Sequence, residues 1–131
     1  MIYVDTSVVL AQLFAEDRRP PVAMWTQPLI SSRLTEYETW SRVHAARRAR
    51  THGEAARQLL SRISMVELSP LTLRRALDPF PTPVRTLDAL HLASVDYLLA
   101  QRLRVTLATL EERMRRAASA LSIGLEPSLD A

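Results

Sequence analysis

Apolar positions along this chain alternate between short unbroken runs and longer stretches in which they recur at helical spacing. The short runs at residues 2–4, 29–31, 65–68 and 105–108 predict strands. The periodic stretches predict helices over 7–14, 34–50, 54–63, 71–77, 87–99 and 110–121, and 123–126 reads as a candidate edge strand. Strands that alternate with helices imply an α/β fold with a parallel sheet covered on both faces. Ligands in such folds bind at the carboxyl ends of the strands, so the residues expected there carry the functional argument.

With 131 residues, the chain is long enough for one domain with a sizeable core and too short for two, so residues 1–131 are read as a single domain. Two proline clusters, Pro20–Pro21 and Pro79, Pro81 and Pro83, read as ordered loops and not as linkers. Cysteine is absent, which removes disulfides, thiolate metal sites and cysteine nucleophiles, and fits a reducing cytoplasm. The apolar stretch at 8–14 follows Asp5, is broken by Gln12 and lacks a basic leader, so neither a signal peptide nor a membrane span is expected.

All 17 basic residues are arginine, and Arg42, Arg47, Arg48, Arg50, Arg57 and Arg62 fall in one short region. Such a block either steers a polyanion, since guanidinium grips phosphate in a bidentate manner, or forms a solvated helix face. The absence of lysine excludes a P-loop nucleotide site and a receiver domain, which both use one. Phosphatases of the haloacid dehalogenase type want a second aspartate two residues after the first, where this chain has Ser7.

Several acids are expected at one edge of the sheet. Asp5 ends the first strand and is followed by Thr6 and Ser7; alone it would also serve as a helix cap. The 87–99 segment, LDALHLASVDYLL, is apolar almost all round and so is read as a buried helix with Asp88 in its first turn. His91 is read as a hydrogen-bonded core residue outside the site, and Asp96 as structural. On the 34–50 helix, Glu36 and Glu38 lie about 200° apart, so only one of them faces a given site. Periodicity does not choose between them: Tyr37, Trp40, Ser41, His44 and Ala45 form the stripe between, and Glu38 borders the smaller side chains. Thr109 and Glu111 follow the last long strand. Carboxylates gathered this closely repel, and a hard divalent cation, Mg²⁺ or Mn²⁺, removes the conflict.

These residues resemble the motifs of the PIN-domain ribonuclease toxins of VapC type over essentially the whole chain. MIYVDTSVV is similar to the family's first strand ending in Asp-Thr/Ser-Ser, which makes Asp5 the first metal acid and Thr6 and Ser7 its supporting hydroxyls. SSRLTEYETWSR resembles the second motif, whose acid lies three residues after threonine, and so selects Glu38. VRTLDALHLAS makes Asp88 the third acid and, with Asp5, a metal ligand. VTLATLEERM resembles the usual Thr-x-Asp, with Thr109 in place as a support but Glu111, one methylene longer, where aspartate is expected. The resemblance implies a PIN-like α/β/α sandwich with a central parallel sheet and an endoribonuclease in which Asp5, Glu38, Asp88 and Glu111 cut RNA with Mg²⁺ or Mn²⁺. It also implies a homodimer and an antitoxin partner, and the apolar pattern gives no membrane partner. The rival reading is an inactive domain of the same fold that binds RNA or protein without cutting, for which Glu111 is the argument.

Overall fold

The computed structural model describes residues 1–129; the last two positions of the expected 1–131 span lie outside the described residues. Four parallel strands, β1 (Ile2–Val4), β2 (Leu29–Ser32), β3 (Ile63–Val66) and β4 (Thr106–Ala108), form one sheet in the order β3-β2-β1-β4. The α-helices among the described residues are α1 (Thr6–Leu13), α2 (Arg33–Ala45), α3 (Ala49–Ser61), α4 (Pro70–Leu77), α5 (Thr86–Ala100) and α6 (Glu112–Ala120). Alternate strand residues feed two different cores. Ile2, Val4, Leu29, Ile63 and Ala108 pack with Val8 and Val9 of α1 and Leu60 of α3 on one face. Tyr3, Ile30 and Leu107 pack with Leu92, Val95 and Leu98 of α5 and Met114 and Ala117 of α6 on the other. The result is a helix–sheet–helix sandwich.

β1 lies inside the sheet because its three residues are buried on both faces, paired with β2 on one side and β4 on the other. From β1 the chain proceeds to β2, while β4 arrives on the opposite flank much later. The strand order therefore reverses between β1 and β4, and a crevice opens beyond their carboxyl ends. The segment expected as an edge strand makes only an isolated bridge, Leu107 to Leu125, against β4.

The region expected as one helix over 34–50 breaks after Ala45. Arg47 takes a left-handed conformation (φ 56°), its amide donates to the carbonyl of His44 and the next amide, of Arg48, donates to Val43. That is a Schellman stop with arginine where glycine is usual, at a cost of about 1 kcal/mol. Ala15, Arg102 and Ser122 (φ 52–64°) end α1, α5 and α6 in the same way. Gly53, which sequence spacing placed between helices, lies inside α3 beside the ring of Trp40. No helix among the described residues is long and apolar enough to cross a membrane.

Candidate active site

Asp5 leaves β1 with extended backbone and accepts a bond from the amide of Val8, so it does cap α1. Its carboxylate has other partners too. Ser7 Oγ donates to Oδ1 at 2.6 Å and Thr109 Oγ1 donates to Oδ2 at 2.7 Å. Ser7 Oγ in turn accepts from the amide of Leu110, and Thr109 Oγ1 from the amide of Glu111, so the β1 and β4 ends are stitched through these two hydroxyls. Asp5 is only 2% exposed, and burial pushes its carboxyl up to about 6, against the pull that His91 would exert if protonated and the hydrogen bonds of Ser7, Thr109 and the Val8 amide. Among the described residues, every group bonded to it is a hydroxyl or a backbone amide, which leaves a buried negative charge without a bonded cation there.

Glu38 enters from α2. Its Oε1 accepts from Thr6 Oγ1 at 2.8 Å and lies 2.7 Å from His91 Nε2. Thr6 therefore supports Glu38, whereas Ser7 and Thr109 support Asp5. Glu36, on the other side of the helix, forms a surface pair with Arg33. The buried face of α2 is Thr35, Thr39 and Val43, not the stripe containing Tyr37, which is 69% exposed.

Asp88 departs from expectation. It is half-buried, because the first turn of α5, with Thr86 and Leu87, sits at the surface and burial begins only at His91. Glu111 is exposed and stands one residue before α6, which starts at Glu112 and not at 110. Neither carboxylate has a hydrogen-bond partner among the described residues. Asp96, read as structural, pairs with Arg75 of α4 at 3.0 Å.

Asp5, Thr6, Ser7, Glu38, Asp88 and Glu111 all line one cavity of about 350 Å³, together with Tyr37, Arg42 and His91. A neighbouring cavity of about 650 Å³ shares Ser7, Leu10, Arg42 and Glu111 with it and adds Arg18, Glu16 and Asp17. Among the described residues, no three acidic or histidine side chains stand close enough together to hold an ion as they are. The donor set is nonetheless all hard oxygen, and Asp5 lacks a bonded cation, so the residues fit a divalent ion held partly through water. His91 is the site residue that sequence reasoning set aside. It is a buried, hydrogen-bonded histidine, as read, but its partner is the site acid Glu38.

The arginine block does not make a single stripe. Arg42 faces the cavity, Arg48 lies over Phe14 (5.2 Å), and Arg57 lies over Trp40 (5.2 Å), on the other side of α2.

The sequence profile of the PIN domain family matches residues 2–120. Ribonuclease VapC35 of Mycobacterium tuberculosis, in two strains, is 31% identical over 132 residues, covering 95% of this chain and 95% of that protein. Two solved structures share the fold. A toxin–antitoxin complex from Klebsiella pneumoniae superposes with a TM-score of 0.66 at 18% identity, over 92% of this chain and 94% of that one. PAE2754 from Pyrobaculum aerophilum gives 0.62 at 22% identity, over 98% and 86%. The profile match and the 31% identity, each over nearly the full length, place this chain in the PIN-domain family, on the branch of the VapC ribonucleases.

Proposed function

We propose that the chain is a single-domain endoribonuclease that hydrolyses RNA phosphodiesters with Mg²⁺ or Mn²⁺, and that it is the toxin of a type II toxin–antitoxin pair. The observation that carries this reading is the convergence of four carboxylates, one of them buried without a bonded cation, on one cavity at the point where strand order reverses. The curated relative is named a ribonuclease, and one structural neighbour is a toxin–antitoxin complex; both support the assignment. A homodimer, an antitoxin partner and a cytoplasmic setting belong to the same reading.

In this scheme Asp5 and Asp88 would hold the ion, Asp5 with a carboxylate fixed by Ser7 and Thr109 and Asp88 from the rim of the cavity. When bound, the ion supplies a nucleophilic water at neutral pH and neutralises charge on the phosphoryl oxygens. Glu38 faces the same space and would accept the proton of the attacking water, with solvent protonating the leaving oxygen of the RNA. Ser7 and Thr109 hold the Asp5 carboxylate in one orientation, and Thr6 does so for Glu38. Arg42, exposed where the two cavities meet, is placed to grip a phosphate of the strand. Glu111 completes the rim through water.

The test is cleavage of a fluorogenic single-stranded RNA by the purified full chain, with Mn²⁺ added or chelated. Cleavage that requires the ion and is lost in Asp5→Asn is the expected result. Binding of the RNA without any cleavage, at every metal concentration, would establish the inactive RNA-binding domain instead.

A further inference from the structure

Glu38 presents its two oxygens unequally. Both of its hydrogen bonds land on Oε1, from Thr6 at 2.8 Å and from His91 Nε2 at 2.7 Å, and Oε2 has no partner among the described residues. Behind His91 the polar chain continues inward. His91 Nδ1 lies 2.8 Å from the hydroxyl of Tyr3, and that hydroxyl oxygen lies 3.2 Å from the backbone nitrogen of Ser32. All three residues are buried, Tyr3 and Ser32 completely.

The proton positions along this chain follow from its inner end. The Ser32 amide can only donate, so the tyrosine oxygen accepts there. The Ser31 and Ser94 hydroxyls beside the tyrosine donate to the Val4 and Leu90 carbonyls, and Nδ1, at 2.8 Å, is the acceptor the tyrosine O–H reaches among the described residues. A neutral imidazole carries one N–H. With Nδ1 accepting, that hydrogen sits on Nε2 and points at Glu38. The opposite tautomer would set the Nε2 lone pair against carboxylate lone pairs at 2.7 Å, and would turn Nδ1 into a second donor facing the tyrosine hydroxyl.

We propose that Ser32, Tyr3 and His91 form a proton-ordered relay that fixes the His91 tautomer and locks Glu38 through Oε1, so that Oε2 is the one oxygen Glu38 offers to the cavity. His91 is thus a positioning residue: it acts through Glu38 and not on the substrate. The inference rests on the nuclease reading for its catalytic consequence, but not for its tautomer. A sheet amide reaches the site acid through two side chains, and the fold therefore sets which oxygen works.

Two measurements test this, one of them independent of activity. In metal-free protein at neutral pH, the ring ¹⁵N shifts of His91 are expected to report Nε2 protonated and Nδ1 unprotonated, and Tyr3→Phe is expected to perturb Nδ1. An imidazolium, or hydrogen on Nδ1, overturns the relay whether or not the protein cuts RNA. In the cleavage assay, His91→Asn places its amide near Nδ1 and falls short of Glu38, while His91→Gln can reach Glu38 as a donor. Loss of an outer partner of a working acid lowers activity on the order of 10–100-fold. His91→Asn is expected to show that loss in kcat with KM for RNA unchanged, and His91→Gln to recover most of it. Equal kcat in the two folded variants, or a loss confined to KM, overturns the positioning role. If the wild-type chain binds RNA without cutting it, the nuclease reading fails while the ¹⁵N result still decides the relay.

Discussion

Asp5 and Asp88 carry the same functional group into the same cavity, yet the protein has built around only one of them. Asp5 is buried, capped by an amide and flanked by two hydroxyls from different parts of the sheet edge. Asp88 is half-buried on the first turn of a helix and has no hydrogen-bond partner among the described residues. The difference follows from position. A carboxylate at the end of the inner strand is almost cut off from water, and hydroxyls and an amide of the protein stand in for its hydration shell. A carboxylate on a protruding helix turn keeps its hydration until something displaces it. One wall of the site is therefore held by hydrogen bonds within the fold, while the carboxylate on the facing wall has no such bonds among the described residues.

The strongest way to break this contrast is to neutralise each acid and measure cleavage and stability together. Asp5→Asn and Asp88→Asn are both expected to lower cleavage by more than the ~100-fold that follows loss of a ligand's hydrogen-bond partner. Their effects on stability should differ. The Asp5 carboxyl is raised from 3.8 to about 6 in the fold, so above pH 6 its buried charge works against folding. The gap corresponds to a penalty on the order of 3 kcal/mol, which disappears as pH falls through 6 toward 4 and the folded state takes up a proton. With chelator present, Asp5→Asn should therefore unfold at higher urea than wild type at pH 8, with the advantage shrinking toward pH 5. Asp88→Asn should stay within about 0.5 kcal/mol of wild type throughout, as surface changes do. A destabilised Asp5→Asn at pH 8 would mean that the Ser7 and Thr109 bonds to the charged form outweigh its burial.

A smaller effect separates the two glutamates of α2. Glu38→Gln should lower cleavage on the order of 100-fold, the low end of what a general base contributes, because an amide cannot accept a proton. Glu36→Gln loses only an exposed ion pair with Arg33, worth a few tenths of a kcal/mol, and should leave cleavage unchanged. Equal losses would dissolve the distinction between the cavity side of the helix and its outer side.

Legibility in the sequence divides along the same line. Asp5, Thr6, Ser7 and Thr109 could be placed because unbroken apolar runs mark β1 and β4, and a parallel sheet delivers the residues just beyond its strands to one edge. The apolar length of α5 was equally clear, but it suggested a buried Asp88, since periodicity does not register that a first turn protrudes beyond the core. Helix α2 misled twice. Two of its three buried residues are threonine, which hydropathy does not count, and it stops before Arg47, where no glycine signals a stop. His91 was legible as a buried histidine and illegible as a site residue, since its partners Tyr3 and Glu38 lie 88 and 53 residues away in the chain. Only a metal-site motif would have drawn attention to it, and His91 is not a direct ligand in the proposed scheme.

The smallest effect belongs to Glu111, which sharpens the contrast because it sits on the open wall and departs from the usual family aspartate. Its amide is tied to Thr109, so the backbone at this point is fixed to the rigid side, while its side chain is exposed and has no hydrogen-bond partner among the described residues. A longer, solvated carboxylate at the rim reaches an ion through water, and losing an interaction of that kind weakens binding modestly. Glu111→Gln should therefore reduce cleavage a few-fold at low Mn²⁺ and approach wild type as Mn²⁺ rises, whereas Asp88→Asn should not recover. Glu111→Asp, restoring the family residue on the same fixed backbone, should match or exceed wild type. Titrating cleavage against Mn²⁺ for the three variants reads this directly. If Glu111→Gln is as inactive as Asp88→Asn, the open wall holds two full ligands; if it equals wild type at every concentration, the chemistry runs on Asp5, Glu38 and Asp88 alone.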